Sequence, residues 1–195
     1  MKIFTVRHGQ TTWNSEKRIQ GQIDIPLDEA GIEQAHKLGK RLAGEQIEAV
    51  YTSDLLRAAQ TAEIINSYVK TELVKTEALR EISFGIFEGR IYPEIADEID
   101  RYRNANQAVP GGEHIDDFFR RVQDCISAAI AKHSGNLIFV GHHGTVRAAI
   151  CFFMDTPVED RDLYRVDNTA LHCFEKVPEG YFVMTLDNDT SHLKT

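Results

Sequence analysis

The sequence predicts a layered α/β fold built on a largely parallel sheet. Short apolar runs alternate with stretches of helical periodicity, the pattern of strand–helix–strand units. No repeat, low-complexity segment or linker interrupts that alternation over 195 residues, enough for one sizeable core and short for two domains, so residues 1–195 are read as one domain.

The first strand is expected over 2–6, an apolar run ending at Arg7-His8. A helix follows over about 29–43, with Asp28 as its cap and Leu27 and Ile32 spaced as a hydrophobic staple. Ile32, Ala35, Leu38 and Leu42 recur on one face of it. The next strand, 48–52, leads into a helix over 54–68 behind Ser53 as cap, and 72–76 reads as a third strand. The segment 91–109 is polar and bounded by Pro93 and Pro110. Ile95, Ile99 and Tyr102 suggest a helical excursion that covers something. A long helix over 114–132 is expected to bury Ile115, Phe118, Phe119, Val122, Ile126, Ala129 and Ile130. After a strand at 136–141, a helix starting near Gly144 carries Val146, Ala149, Ile150 and Phe153. Strands at 170–176 and 181–186 complete the sheet, and an edge strand in that region leaves a homodimer open.

Composition narrows the function classes. With 22 basic and 30 acidic side chains the net charge is −8, and no Lys/Arg-rich run offers a surface for nucleic acid or an anionic membrane. No stretch approaches the roughly 20 apolar residues that span a bilayer, and the N-terminus has no signal-peptide pattern. Cys125, Cys151 and Cys173 lie far apart in apolar surroundings without C-x-x-C spacing, which argues for reduced core thiols in a cytoplasmic protein.

Ligands of such sheets gather at the carboxyl ends of the strands, where helix N-termini also point. That rule sends Arg7 and His8, Arg57, Glu81 and His142 to one edge, although they lie up to 135 positions apart in sequence. The set suits phosphoryl transfer. His8 is a nucleophile when neutral, and Arg7 and Arg57 would disfavour its protonation while holding phosphate oxygens. A protonated or hydrogen-bonding His142 would join them. Glu81, its pKa raised by burial, would protonate the leaving oxygen and later accept a proton from water. Each residue also has an ordinary reading as a solvated or structural side chain; their convergence is the argument. His142-His143 is no metal pair, because neighbours at a strand end point to opposite sides. Leu186-Asp187-Asn188-Asp189 imitates the Asp-x-Asp of magnesium-dependent phosphatases, yet too little chain follows to build that fold. His36, His133, His172 and His192 have no nameable partner.

Taken together, several segments resemble the histidine phosphatase superfamily, in the branch shared by phosphoglycerate mutases and small bacterial phosphatases such as α-ribazole phosphatase. They are Arg7-His8-Gly9-Gln10-Thr11 with Trp13-Asn14, Gln20-Gly21, Pro26-Leu27, Gly31 with Gln34-Ala35, and Ser53-Asp54-Leu55 with Arg57-Ala58 and Gln60-Thr61-Ala62. Further on come Leu79-Arg80-Glu81, Phe84-Gly85 with Glu88-Gly89, Pro110-Gly111-Gly112-Glu113, Val140 with His142 and Gly144, and Asn188-Asp189-Thr190 with His192-Leu193. The resemblance implies a three-layer α/β/α sandwich with 84–114 as a helical cap. It also implies His8 as the phosphorylated residue, Arg7, Arg57 and His142 as the phosphate pocket, Glu81 as proton donor and Asn14 as a phosphate contact. Gln10, Gln20, Gly21 and His143 are expected to line the substrate. Three positions depart from the pattern: His143 replaces a common Gly, Phe87 a frequent Trp, and His114 a common Ser, which removes a capping hydroxyl.

The expected activity is hydrolysis of a small phosphate ester without metal or other cofactor. A phosphoglycerate mutase is the first rival, but the segment 90–110 is short for enclosing a ligand and offers only Arg90, Arg101 and Arg103. A catalytically silent phosphoester-binding module is the rival of another class; it has no reason to keep both His8 and Glu81.

Overall fold

In the computed structural model, which describes residues 1–194, the apolar runs form β1 (Lys2–Arg7), β2 (Ile47–Ser53), β3 (Glu72–Thr76), β4 (Asn136–Gly141), β5 (Leu171–Lys176) and β6 (Phe182–Asp189). They hydrogen-bond in the order β3-β2-β4-β1-β5-β6. The β3–β2, β2–β4 and β4–β1 pairs are parallel, while β5 runs antiparallel to both β1 and β6. The helices are α1 (Thr12–Ser15), α2 (Glu29–Leu42), α3 (Leu56–Val69), α4 (Tyr92–Asn104), α5 (Ile115–Lys132) and α6 (His143–Met154). No helix among the described residues is long and apolar enough to cross a membrane.

The central strands are covered on both faces, which is why β1 and β4 read as near-continuous apolar runs rather than alternating ones. Side chains still alternate. Ile3, Leu137, Phe139 and Phe174 face α5 and α6, where Phe118, Val122, Ile126, Val146 and Ile150 meet them. Phe4, Val6, Val50, Ile138 and Val140 face α2 and α3 and pack on Leu38, Leu42, Ala58, Ala62 and Ile65. Each such fully buried aliphatic or aromatic side chain stabilises by about 1.5–3 kcal/mol. This is the three-layer sandwich that the resemblance implied. A third, small cluster (Ile19, Phe87, Ile95, Ile99) lies apart from the sheet, and Phe84, Tyr102 and Val109 pack against it.

Several local expectations need correction. Ser53 does not cap α3: the helix begins two residues later, Leu55 is the N-cap without a side-chain bond, and Ser53 Oγ accepts from the Leu55 amide at 3.2 Å. Ile32 is 40% exposed, so the buried face of α2 runs instead through Gly31, Ala35, Leu38, Gly39 and Leu42. His114 does cap α5, its ring Nδ1 accepting from the Asp116 amide at 3.3 Å, so the lost hydroxyl is replaced rather than missing. Ile115, Ile130 and Cys125 are half-buried. β5 is interior, and the free edge on that side belongs to β6. The unassigned histidines do have partners: His133 bonds Tyr51 and Glu48, His36 bonds Tyr68, His172 meets Asp187 and the Asn188 amide, and His192 bonds Thr169.

Helix α2 is pressed onto the loop after β1. Asp28 Oδ1 caps it by accepting from the Gly31 amide at 2.8 Å, and the Asp28 amide donates to the Gln10 carbonyl at 3.0 Å. A Cβ on Gly31 would stand 2.1 Å from that same carbonyl oxygen. Alanine is normally the better helix residue by about 0.5–1 kcal/mol, but here the clash decides the sign. Gly31→Ala is expected to lower stability by about 1–3 kcal/mol in denaturant melts. Gly44→Ala, with nothing within 4 Å of its Cβ, should stay near the parent value.

Candidate active site

β1 sits between β4 and β5 in the middle of the sheet, so the residue that follows it emerges at the centre of the carboxyl edge. That residue is His8, tied to β4 by its amide donating to the Gly141 carbonyl at 2.9 Å. Its ring Nδ1 lies 2.7 Å from the Gly9 carbonyl oxygen. A carbonyl only accepts, so Nδ1 carries the hydrogen and Nε2 presents its lone pair. Burial pushes the His8 pKa well below the ordinary value, and Arg57 and Arg7 push it further, so the ring is neutral. Gly9 is held in turn: its amide donates to Thr61 Oγ1 at 3.0 Å, and that hydroxyl donates to the Arg57 carbonyl.

His142 is the N-cap of α6, with its ring centroid 5.3 Å from that of His8. It is fully buried, and burial first, then Arg57 and His8, hold its pKa well below the usual range. It is therefore a neutral hydrogen-bonding group; the alternative of a protonated His142 is set aside by the same desolvation. Both its ring nitrogens are buried without a partner.

The two arginines carry the charge. Arg57, in the first turn of α3, is 1% exposed; its Nη2 donates to the Gly21 carbonyl at 2.7 Å and its Nη1 to that of Ile23 at 2.9 Å. Burial brings its pKa down to about 10, which leaves it protonated at neutral pH. Arg7 Nη1 donates to the Val166 carbonyl at 2.8 Å. The Nε of each is buried and unpartnered, and among the described residues neither makes an ion pair with a carboxylate. Buried cations without a counter-charge are costly. The arrangement suits a dianion supplied by a ligand.

Glu81 lies in the loop after β3 and is 9% exposed. Its Oε1 accepts from the Ile82 amide at 3.0 Å and its Oε2 from the Gly144 amide at 3.1 Å. Burial raises its pKa; the two amides and the arginines oppose this without cancelling it. Gly144 is required beside it, since a Cβ there would stand 2.4 Å from Glu81 Oε1. The structure thus brings His8, Arg7, Arg57, His142 and Glu81 to one edge. Among the described residues, no three His, Cys, Asp or Glu side chains gather as a metal site.

The remaining candidates are placed less uniformly. Asn14 forms a capping box with Thr11 at the start of α1, its Oδ1 accepting from the Thr11 amide at 3.0 Å. Gln10 turns its amide to Asp28 Oδ2 at 3.1 Å, toward α2. Gln20 is buried with its Oε1 unpartnered. Gly21, at φ +50°, contributes a carbonyl to the Arg57 cradle, and a Cβ there would strike the Glu88 carboxylate at 2.1 Å. His143 is half-buried and lines a cavity of about 900 Å³ next to Glu81; burial and Arg7 bring its pKa down to about 3.

Two contributors escaped the sequence reading. Asn168 Nδ2 donates to the His8 carbonyl at 2.9 Å and approaches Asn14 Oδ1 at 3.4 Å. It precedes β5, and because β5 is antiparallel its start lies at the carboxyl end of β1; a rule about strand ends overlooks a strand beginning. Glu88 Oε1 accepts from the Gln22 and Phe84 amides at 3.1 and 3.0 Å, joining the Arg57 cradle to the Glu81 loop. Glu88-Gly89 was part of the sequence resemblance, but nothing in it shows that the carboxylate points inward.

A buried histidine with a free Nε2, flanked at a sheet edge by the buried Arg57 and the half-buried Arg7, is the equipment of an enzyme that handles phosphate groups. Residues 3–189 match the sequence model of the Histidine phosphatase superfamily (branch 1), and the chain belongs to that family. Phosphoglycerate mutase-like protein 4 of Arabidopsis thaliana is 34% identical, over 99% of this chain and 87% of the relative. A putative alpha-ribazole-5'-P phosphatase of Escherichia coli superposes with a TM-score of 0.87 at 26% identity, covering 97% of each chain. A phosphoserine phosphatase of Entamoeba histolytica, solved in complex with phosphoserine, gives 0.86 at 26% identity, covering 98% of each.

The three site histidines, together with His172 and His192, whose pKa values are also lowered, set a pH dependence of stability. Each has a folded pKa below the ordinary 6.5, so below that pH the unfolded chain takes up protons that the native structure refuses. Stability is full above about 6.5 and is lost as the pH falls. Glu81, shifted upward, offsets part of this at lower pH. Each such histidine contributes up to about 1.4 kcal/mol per pH unit to the slope. His143→Gln is expected to flatten the decline between pH 6.5 and about 5, read in chemical melts across that range.

Proposed function

We propose that this chain is a phosphatase that hydrolyses small phosphomonoesters through a phosphohistidine on His8, with Glu81 as general acid and base. The observation that carries the reading is the neutral His8 ring, its Nδ1 hydrogen engaged by the Gly9 carbonyl, so that Nε2 is free beside two uncompensated arginines. The phosphatases among the structural relatives support it.

In this reading Arg7 and Arg57 hold the equatorial phosphate oxygens, and neutral His142 donates to one of them. Nε2 of His8 forms a bond to phosphorus as the bond to the leaving oxygen breaks. Glu81, its pKa raised by burial, gives a proton to that oxygen. Now ionised, it takes a proton from water, which attacks phosphorus and frees His8. Asn14, which Asn168 approaches from the His8 carbonyl, and His143 in the cavity wall are assigned to substrate contact, and Gln20 has an unsatisfied oxygen to offer. Gly21 acts through Arg57, and Gln10 supports the loop from behind. The arginines supply the charge neutralisation that a metal ion supplies elsewhere, so neither metal nor other cofactor enters the scheme. We treat residues 1–195 as one domain in which 84–114 covers the site and a small phosphate ester is the only partner required.

The mutase reading keeps one observation in its favour: relatives named for phosphoglycerate mutases, the Arabidopsis protein among them. The covering segment argues against it. Arg90 and Arg103 are engaged in ion pairs with Glu98, Asp100 and Asp162, which leaves Arg101 as the segment's one arginine outside an ion pair among the described residues.

The test is phosphate release from a panel of monoesters in excess chelator, including α-ribazole 5′-phosphate, phosphoserine and 3-phosphoglycerate. His8→Ala should abolish hydrolysis, and Glu81→Gln should lower kcat by about 10²–10⁴. Interconversion of phosphoglycerates without phosphate release would overturn this reading in favour of the mutase.

A further inference from the structure

The cavity of about 900 Å³ lies on the leaving-group side of the site, with Glu81, His143 and Gly144 in its wall. That is far more room than a glycerate or serine needs. Much of the lining is apolar, Phe84, Tyr102 and Phe118 among it, yet Arg103, Arg147 and Arg161 also face it. Three arginines beside a phosphate pocket suggest a place for a second anion. Their partners say otherwise.

Arg147, on α6, makes an ion pair with Asp162 and donates its Nε to the Tyr164 carbonyl at 3.0 Å. Arg103, on α4, reaches the same Asp162 at 3.8 Å and Asp100 at 3.5 Å. Arg161 spends Nη1 on the Val158 carbonyl at 2.8 Å. Asp162 therefore stands at the acceptor position between an arginine of the sandwich and one of the covering helix. Glu159 also lines the cavity, whereas Glu113 in its wall is paired with Arg121. The contrast with Arg7 and Arg57, which have no carboxylate partner, is sharp. Of the cavity's three arginines, Arg103 and Arg147 are paired with Asp162, while Arg161 meets only a backbone carbonyl among the described residues.

Resting on the phosphatase reading above, we propose that Asp162 is a specificity-determining residue: it selects phosphomonoesters whose leaving group is uncharged over those whose leaving group carries a carboxylate or second phosphate. It acts twice, by occupying Arg103 and Arg147 and by repelling an anion placed in the cavity. The neighbouring His143, held neutral by burial, adds no charge to counter it. Asp162 and Arg103 are both about half exposed, so solvent screening keeps the effect moderate.

The experiment compares kcat/KM for 3-phosphoglycerate with that for p-nitrophenyl phosphate. Asp162→Asn is expected to raise this ratio by on the order of tenfold, and Asp162→Glu to keep it near the wild-type value. Asp160→Asn, on the same turn but outside the cavity wall, should leave both substrates unaffected. A ratio unchanged in Asp162→Asn, or raised equally by Asp160→Asn, overturns the proposal. Calorimetric Kd values for 3-phosphoglycerate relative to inorganic phosphate are read on the same proteins. If the wild type hydrolyses neither ester, the phosphatase reading fails, and the binding ratio still decides on Asp162. Tighter 3-phosphoglycerate binding in Asp162→Asn supports the inference, and an unchanged ratio ends it.

Discussion

Two guanidinium groups held by backbone carbonyls, with no direct ion pair to a carboxylate among the described residues, are the constraint around which this molecule is arranged. Arg57 has no carboxylate to lean on, so backbone carbonyls of Gly21 and Ile23 hold its outer nitrogens, and Arg7 is held likewise by Val166. Carbonyl dipoles fix a guanidinium in place without neutralising it. The positive field survives in a largely buried site, where electrostatic interactions are stronger than in water.

The chemistry of the neighbours follows from that field and from burial. The same desolvation acts in opposite directions on bases and acids: it keeps His8 and His142 neutral and raises the pKa of Glu81. A neutral His8 ring and a carboxyl group with a raised pKa thus lie beside two cations. The Gly9 carbonyl adds direction by choosing the His8 tautomer. Close backbone approaches keep the parts in register. Gly31 admits the Gln10 carbonyl and Gly144 admits the Glu81 carboxylate, places where any side chain would collide.

Beyond the phosphate end, the protein changes its electrostatic rule. Arg103 and Arg147 are matched by Asp162, and the large cavity beside Glu81 mixes aromatic side chains with charged ones. The covering segment has its own small cluster around Phe87, Ile95 and Ile99, separate from the sheet. Its phenylalanine in place of the frequent tryptophan is fully buried there, a packing choice distant from the reacting atoms.

Much of this was legible before any coordinates. Periodicity located every strand, because β1 and β4 are buried on both faces and their apolar runs have no competing explanation. Topological reasoning gathered His8, Arg7, Arg57, Glu81 and His142, since parallel strands deliver their carboxyl ends to one edge. What the residues alone left open depends on directions in space. Asn168 was missed because β5 runs antiparallel, a fact carried by pairing with β1 and not by composition. Gln10 turns toward α2 and Glu88 turns inward, and no pattern of residue types says which way a polar side chain points. Local chemistry along the chain determined which groups could react. Only the tertiary structure decided which of them are desolvated, paired or left charged, because those properties belong to neighbours brought together from distant parts of the sequence.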